Sequence, residues 1–238
     1  MNNLLSKSIF SLALGLAGTA AMASGVIYID KFDDGGAPVS VLASDPDGTF
    51  ARINAACVAC AGNFRALEVT KVSSNPDGSG GVRANVIGGD YNFSTDNDIF
   101  GSFRNRWDGS SDTNFDSFGL GLNLSDKTSF VVRQENDVPS SLGIRVYTDA
   151  GNWASLVKPF PAFFSGDLAF AFDDFVAGAG TLDWANIGAI EIYLADPKGA
   201  ERLDLDMDFF ATSVPEPGSL ALLGFGLLGL GLRVRRKG

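Results

Sequence analysis

The sequence predicts an all-β domain, a sandwich or barrel of antiparallel strands, between two apolar chain ends. The clearest strand covers residues 201–210, where Leu203, Leu205 and Met207 alternate with three aspartates. A period of two with one apolar face is typical of an antiparallel strand that has one side in water. Comparable runs occur at 26–30, 64–72, 81–87, 118–124, 129–134, 142–148, 153–158, 168–172 and 187–194. Turn-forming sequences separate these runs, and many short strands at such spacing favour a single β-sandwich.

Composition excludes several classes of function. The chain has 238 residues, with 18 basic and 28 acidic side chains and a net charge of −10. An acidic surface argues against nucleic acid, because phosphate binding requires basic side chains. The absence of histidine excludes Ser-His-Asp and Cys-His catalysis and removes the commonest zinc ligand. A hydrolase that uses two carboxylates stays possible, since it needs no histidine.

The first 23 residues have the pattern of a secretory signal peptide. Lys7 precedes an apolar stretch at 9–21, and Ala21, Met22 and Ala23 form a small-x-small cleavage site. We therefore expect a signal peptide at 1–23, a β-sandwich domain at 24–212 and a separate segment at 213–238.

The segment 213–238 has three consecutive parts. A Pro-Glu-Pro turn comes first, then an uncharged apolar run at 220–232, then a basic end. The apolar run is near the lower limit of length for a membrane-spanning helix, and cations after a span favour the cytoplasmic side. The turn consists of Val214, Pro215, Glu216 and Pro217, and the basic end contains Arg233, Arg235, Arg236 and Lys237.

This order resembles the PEP-CTERM sorting signal of Gram-negative bacteria. The resemblance implies that residues 214–217 are the recognition motif at which an exosortase cuts and transfers the protein. It also implies a short C-terminal transmembrane helix, a basic stop after it, export across the inner membrane and a place at the cell surface or in the extracellular matrix. A plain C-terminal anchor or a buried hairpin helix is the alternative, but neither accounts for the Pro-Glu-Pro turn.

A second resemblance concerns the two ends of the domain. Residues 28–34, YIDKFDD, and 170–209, which end in LDLDMDFF, resemble the first and last strands of galactose-binding-like jelly-roll domains, including carbohydrate-binding modules. The resemblance implies a jelly roll whose first and last strands are neighbours. It also implies a structural calcium ion, for which the expected ligands are Asp33, Asp34, Asp206 and Asp208. The alternative is that the aspartates of the last strand form only its solvated face.

The two cysteines are Cys57 and Cys60, separated by two residues. Because the signal peptide sends the chain to an oxidising compartment, we expect a local disulfide that pins a loop. A zinc site is disfavoured, since the chain has neither a second cysteine pair nor histidine.

A polysaccharide site requires exposed aromatic faces. The candidates are Trp107, Tyr91 and Trp153, with Trp107 first because arginines and Asp108 surround it. For each of them a core role is the alternative. Trp184 precedes a buried strand, which predicts a packing role.

Three functions remain open. The first is a non-enzymatic, surface-sorted protein that binds polysaccharide of the extracellular matrix. The second is a structural or adhesion protein without a small ligand, whose acidic surface binds divalent cations. The third is a glycan-active enzyme that uses two carboxylates, for which no pair is selected among Glu135, Asp173, Asp174, Asp183 and Glu191.

Overall fold

The structure, a computed structural model, describes residues 25–75, 79–196 and 198–213. Within this part the chain forms strands and two short 3-10 turns, at Ala61–Asn63 and Phe172–Asp174. The strands, in chain order, are β1 Tyr28–Asp30, β2 Val39–Leu42, β3 Phe50–Ala56, β4 Phe64–Ser74, β5 Gly81–Ile87, β6 Asp90–Thr95, β7 Ile99–Trp107, β8 Ser129–Asn136, β9 Ser140–Asp149, β10 Asn152–Phe160, β11 Ser165–Ala171, β12 Val176–Ala179, β13 Ala189–Leu194, β14 Ala200–Glu201 and β15 Asp204–Ser213.

These strands form two antiparallel sheets. Sheet A has the order β11-β8-β15-β6-β5-β2, with β1 also paired to β15. Sheet B has the order β12-β10-β9-β13-β7-β4-β3, with β14 also paired to β7. The chain passes repeatedly from one sheet to the other, and its first and last strands pair, with Tyr28 opposite Ala211 and Asp30 opposite Phe210. The all-β prediction and the jelly-roll sandwich are therefore confirmed.

The core lies between the two sheets and follows the expected alternation. In β9, Leu142, Ile144 and Val146 point inward and are fully buried. A group of rings closes one part of the core, where Trp184 stacks on Phe172 with ring centroids 3.9 Å apart. The packing role predicted for Trp184 is confirmed.

The prediction of a strand at 118–124 is wrong. There an isolated bridge joins Leu122 to Ile187 and Leu124 is buried in the core, while the preceding residues, up to Phe118, lie over the outer face of sheet B. Period-two alternation is local, and it cannot show that a segment packs on a sheet face without joining its ladder. The sequence runs also did not include strands β2, β3, β6, β7 and β12.

In the part of the chain that the structure describes, no helix has the length and apolar character needed to cross a membrane. The predicted signal peptide at 1–23, the sorting motif at 214–217, the apolar run at 220–232 and the basic end lie outside the described residues.

Candidate functional site

Trp107 is part of the core, so the prediction that it stacks on a sugar is wrong. Its side chain is 0% exposed, and its ring packs against Phe210 with centroids 5.5 Å apart. Its indole Nε1 donates to Asp30 Oδ2 at 2.8 Å, and the same buried carboxylate pairs with Arg65. The arginines beside Trp107 in the sequence occupy the opposite face of β7, which is why its surroundings seemed polar.

Tyr91 is also fully buried, and its prediction as a sugar-binding residue is wrong for the same reason. Its ring lies between Phe32 and Phe103, at centroid distances of 5.8 and 5.3 Å. Burial raises the pKa of its hydroxyl far above the ordinary value. Within β6, Tyr91 and Phe93 point inward while Asp90 and its alternate neighbours face solvent.

Trp153, by contrast, is half-buried and lies on the outer face of sheet B. The far edge of its indole occupies the space above Gly178 of β12, where a Cβ would come within 1.9 Å of the ring. Tyr193 of β13 has the same relation to Gly143 of β9, with a distance of 2.4 Å. Each ring therefore extends over the neighbouring strand of sheet B.

Arg145 lies between these two rings. Its Cζ atom is 4.8 Å from the centroid of Trp153 and 5.2 Å from that of Tyr193. The placement follows from the sheet, since β9 lies between β10 and β13, with Arg145 opposite Ser155 and Glu191. Trp153, Arg145 and Tyr193 are called the aromatic row below.

One buried carboxylate, that of Glu191, supports this row. Glu191 is 1% exposed; it accepts from Arg106 Nη1 at 2.7 Å and from the Tyr147 hydroxyl at 3.0 Å. Arg145 and Arg104 approach the same carboxylate at 3.8 and 4.0 Å. Charged groups that share one buried partner in this way hold one another in fixed positions.

Residues 108–118, called the covering segment, lie over the other part of sheet B. Arg52 donates to the Thr113 carbonyl at 2.6 Å. The Phe115 ring is 4.2 Å from the Arg52 guanidinium and 4.1 Å from that of Arg104. The covering segment thus occupies the outer face at β3, β4 and β7, while the aromatic row on β10, β9 and β13 stays open beside it.

The outer face of sheet A is acidic. Asp204, Asp206 and Asp208 of β15 point outward, and Asp206 lies opposite Glu135 of β8. Partial burial, followed by the charges of Glu135 and Asp90, raises the pKa of Asp206 to about 6. Shallow depressions of about 760 and 450 Å³ lie along Asp204 on this face.

The structure does not bring the four predicted calcium ligands together. Asp33 is exposed, and Asp34 Oδ2 accepts from the backbone N–H groups of residues 58 and 59 at 2.5 and 2.8 Å. Asp206 and Asp208 belong to the acidic face of sheet A, whereas β1 pairs with the other end of β15. The first and last strands are neighbours as the resemblance implied, but their register separates the carboxylates.

Among the described residues, one set of three potential metal-ligating side chains has ligand atoms within 4.8 Å of one another: Asp30, Cys57 and Cys60. The two cysteines form a disulfide, which confirms the predicted pairing. Asp30 already holds Arg65 and the Trp107 indole. These groups have no ligand atoms left for a metal.

The carboxylates considered for catalysis are dispersed. Glu135 is on the outer face of sheet A and Glu191 on that of sheet B, on opposite sides of the sandwich. Asp173 and Asp174 belong to a 3-10 turn, and Asp183 accepts from a backbone N–H of its own loop.

Sequence reasoning missed Tyr193, Arg145 and Arg104. The sequence did contain a signal. In β13, Glu191 and Tyr193 alternate with two isoleucines and one leucine, and in β9, Arg145 alternates with apolar residues. Such alternation places these side chains on an outer face. It does not show which strands are neighbours, and the row depends on that.

Comparison with known proteins identifies a sequence motif at the C-terminal end and solved structures with a similar fold. Residues 213–237 match the family model described as the PEP-CTERM protein-sorting motif, which indicates an exported protein that is held in a membrane before it is sorted. No curated protein matches the sequence.

Among solved structures, the fold is similar to carbohydrate-binding modules. A family 11 module of a cellulosomal cellulase of Clostridium thermocellum is 12% identical, covers 81% of this chain and 98% of its own, and has a TM-score of 0.41. The solution structure of a family 11 module is 13% identical over 82% and 98%, with a TM-score of 0.44. A family 61 module in complex with β-1,4-galactotriose is 14% identical over 63% and 82%, with a TM-score of 0.32.

Proposed function

We propose that the chain is a non-catalytic protein of the cell surface that binds polysaccharide on the open part of sheet B. The observation that supports this most is the aromatic row, in which two half-buried rings lie along the sheet on either side of Arg145. It is an extended surface on strands, which suits a chain-like ligand better than a small molecule.

The chemistry of the row fits a sugar. The face of an aromatic ring carries negative potential, and the C–H groups on one side of a pyranose carry a slight positive charge. A sugar can therefore stack on Trp153 or Tyr193 while its hydroxyl groups accept from Arg145. Sites that combine aromatic surface with a few placed polar groups are the usual form of ligand recognition.

The rigidity of the row also supports the proposal. Trp153 and Tyr193 each fill the space above a glycine, so neither ring has to be ordered when a ligand arrives. Binding surfaces that are already ordered lose less side-chain entropy on association.

The sorting motif supports the proposed location. An exosortase would cut the chain near residues 214–217 and release the sandwich to the surface or matrix of a Gram-negative cell. There it would meet the polysaccharides of the same cell.

The test is retention of the full chain, in mild detergent, on a panel of insoluble and bacterial polysaccharides, for wild type, Trp153→Ala and Phe163→Ala. Phe163 is a matched control, because it is a strongly exposed aromatic side chain outside the row. We expect retention on at least one glycan that Trp153→Ala weakens tenfold or more and Phe163→Ala preserves. Retention that is insensitive to Trp153, or no retention at all, contradicts the proposal.

A structural or adhesion role through divalent cations is a second candidate, favoured by the acidic outer face of sheet A. This role and the proposed polysaccharide binding differ in their response to a chelator. Assembly or retention that disappears with EDTA and is unaffected by Trp153→Ala would support this role instead.

A further inference from the structure

The outer face of sheet B carries partly exposed arginines in a protein that is acidic overall, with a net charge of −10. Arg145 lies in the open part, and Arg104 lies on β7 at the border with the covering segment, with side chains 32% and 33% exposed. Guanidinium groups that remain at the surface beside aromatic rings can contact a ligand directly.

The carboxylates near these arginines satisfy them only in part, since Arg104 Nη2 pairs with Glu68 at 3.1 Å while its Nε has no partner among the described residues. Four guanidinium groups on this face share three carboxylates. The groups are those of Arg52, Arg104, Arg106 and Arg145, and the carboxylates are those of Glu68, Asp108 and Glu191.

Arg145 is the least satisfied of the four. Its nearest carboxylate oxygen, on Glu191, is 3.8 Å away, which is too long for a hydrogen bond. Within the described part of the chain, its one hydrogen bond goes to the Tyr147 hydroxyl at 3.3 Å, and its Nε has no partner. The Nε of Arg104 also has no partner there.

A guanidinium group is planar and binds a carboxylate through two parallel N–H groups. In the row, Arg145 is flanked by rings that exclude water from its two sides, and this strengthens an ionic contact. Arg104 is two strands from Arg145, on β7, where it lies opposite Tyr193 and next to Phe115. Both could contact acidic groups along one extended chain.

We propose that the polysaccharide bound by the aromatic row is anionic, with sugar carboxylates that pair with Arg145 and Arg104. This inference rests on the proposed function and specifies its substrate class as a carboxylate-bearing glycan such as a polyuronate. A neutral glycan would offer neither guanidinium group an acceptor of opposite charge, and only Arg104 already pairs with a carboxylate at short distance, that of Glu68 at 3.1 Å.

The test compares polygalacturonate and alginate with their carboxyl-reduced forms, using the full chain in mild detergent and affinity electrophoresis. EDTA is present throughout, because calcium could otherwise bridge a polyuronate to the acidic face of sheet A. We expect the anionic forms to bind at least tenfold more tightly than the reduced forms. Reduction of the glycan changes no residue, so this comparison does not depend on the folding of a variant.

Two variants locate the effect. Arg145→Gln and Arg104→Gln should each weaken binding to the polyuronates by a larger factor than binding to the reduced forms. Arg133→Gln and Arg83→Gln are matched controls that remove one positive charge from exposed arginines on sheet A, and they should preserve the preference.

The possible failures are distinct. Equal binding to anionic and reduced forms, with loss in Trp153→Ala, would overturn the anionic inference and support the proposed function. Equal losses in Arg133→Gln and Arg145→Gln would overturn it as well, because they would show an unlocalised charge effect. Absence of binding to every glycan of this test and of the wider panel would overturn both the inference and the proposed function.

Discussion

The indole of Trp153 occupies the space above Gly178 of the neighbouring strand, so that any side chain at position 178 would collide with the ring. This relation fixes where the ring lies on the open part of sheet B.

Gly178→Ala should therefore displace the Trp153 ring without unfolding the domain, because β12 is an exposed edge strand. We expect affinity for a retained glycan to fall about tenfold, which corresponds to about 1.4 kcal/mol. Gly151→Ala is a matched control in the same region, since a Cβ there meets only an ordinary contact at 3.5 Å. Unchanged affinity in Gly178→Ala would show that the ring position does not matter for binding.

Trp107→Ala should destabilise the domain by about 3–5 kcal/mol, because it removes a fully buried ring and leaves Asp30 without its indole donor. Trp153→Ala removes the same side chain from the surface and should cost far less. Urea unfolding of both variants measures the difference. Similar losses of stability in the two would contradict the assignment of Trp107 to the core and Trp153 to the surface.

Asp206→Asn should stabilise the protein at pH 7. The folded pKa of Asp206, about 6, is above that of an unfolded aspartate, about 3.9. The folded state therefore binds the proton more tightly, and wild type loses stability as pH rises from about 4 to about 6.

Because Asp206 is partly exposed, solvent screening limits the gain of the variant at pH 7 to about 1 kcal/mol. At pH 4 the gain should largely vanish. Chemical unfolding at both pH values, with Asp33→Asn as a control for the loss of one exposed charge, checks this. A gain of equal size at pH 4 and pH 7 would refute the electrostatic origin.

Removal of the disulfide between Cys57 and Cys60 should cost at most about 2 kcal/mol, because a loop of this length constrains the unfolded chain only modestly. The double variant Cys57→Ser, Cys60→Ser is the test, with urea unfolding as the readout.

In wild type, thiol reagents should label neither cysteine until the protein is reduced. Labelling of the unreduced protein would contradict the pairing.

Processing at the two ends can be measured directly by intact mass spectrometry. Exported protein should begin near Ser24 and end near residues 214–217, and Glu216→Ala should accumulate the uncut C-terminus. A chain in the membrane fraction that keeps residues 218–238 would indicate a plain anchor instead.

Much of the fold could be predicted from the sequence, because polar and apolar residues alternate along many of its strands. The aspartates of β15 and the isoleucines of β13 place two central strands and their inward faces. Turn sequences separate the others. Pairing between distant strands has no such local signal, and the jelly-roll arrangement came from the resemblance of the chain ends.

Less of the site could be predicted from the sequence, because the exposure of a side chain depends on contacts between distant segments. Trp107 seemed exposed among charged neighbours, yet those neighbours lie on the face that the covering segment protects. Trp153 was identified as a candidate and is on the surface, but its partners Arg145 and Tyr193 come from β9 and β13. Only the strand order of sheet B brings the three together.

The most direct test of the central claim is acrylamide quenching of tryptophan fluorescence, with and without a retained glycan. The Trp184→Phe variant is suited to it, because it leaves the buried Trp107 and the surface Trp153 as the two fluorophores. If polysaccharide binds on the aromatic row, the glycan should protect Trp153 and lower the quenching constant. Glycan binding that leaves the quenching constant unchanged would place the binding surface elsewhere and contradict the account.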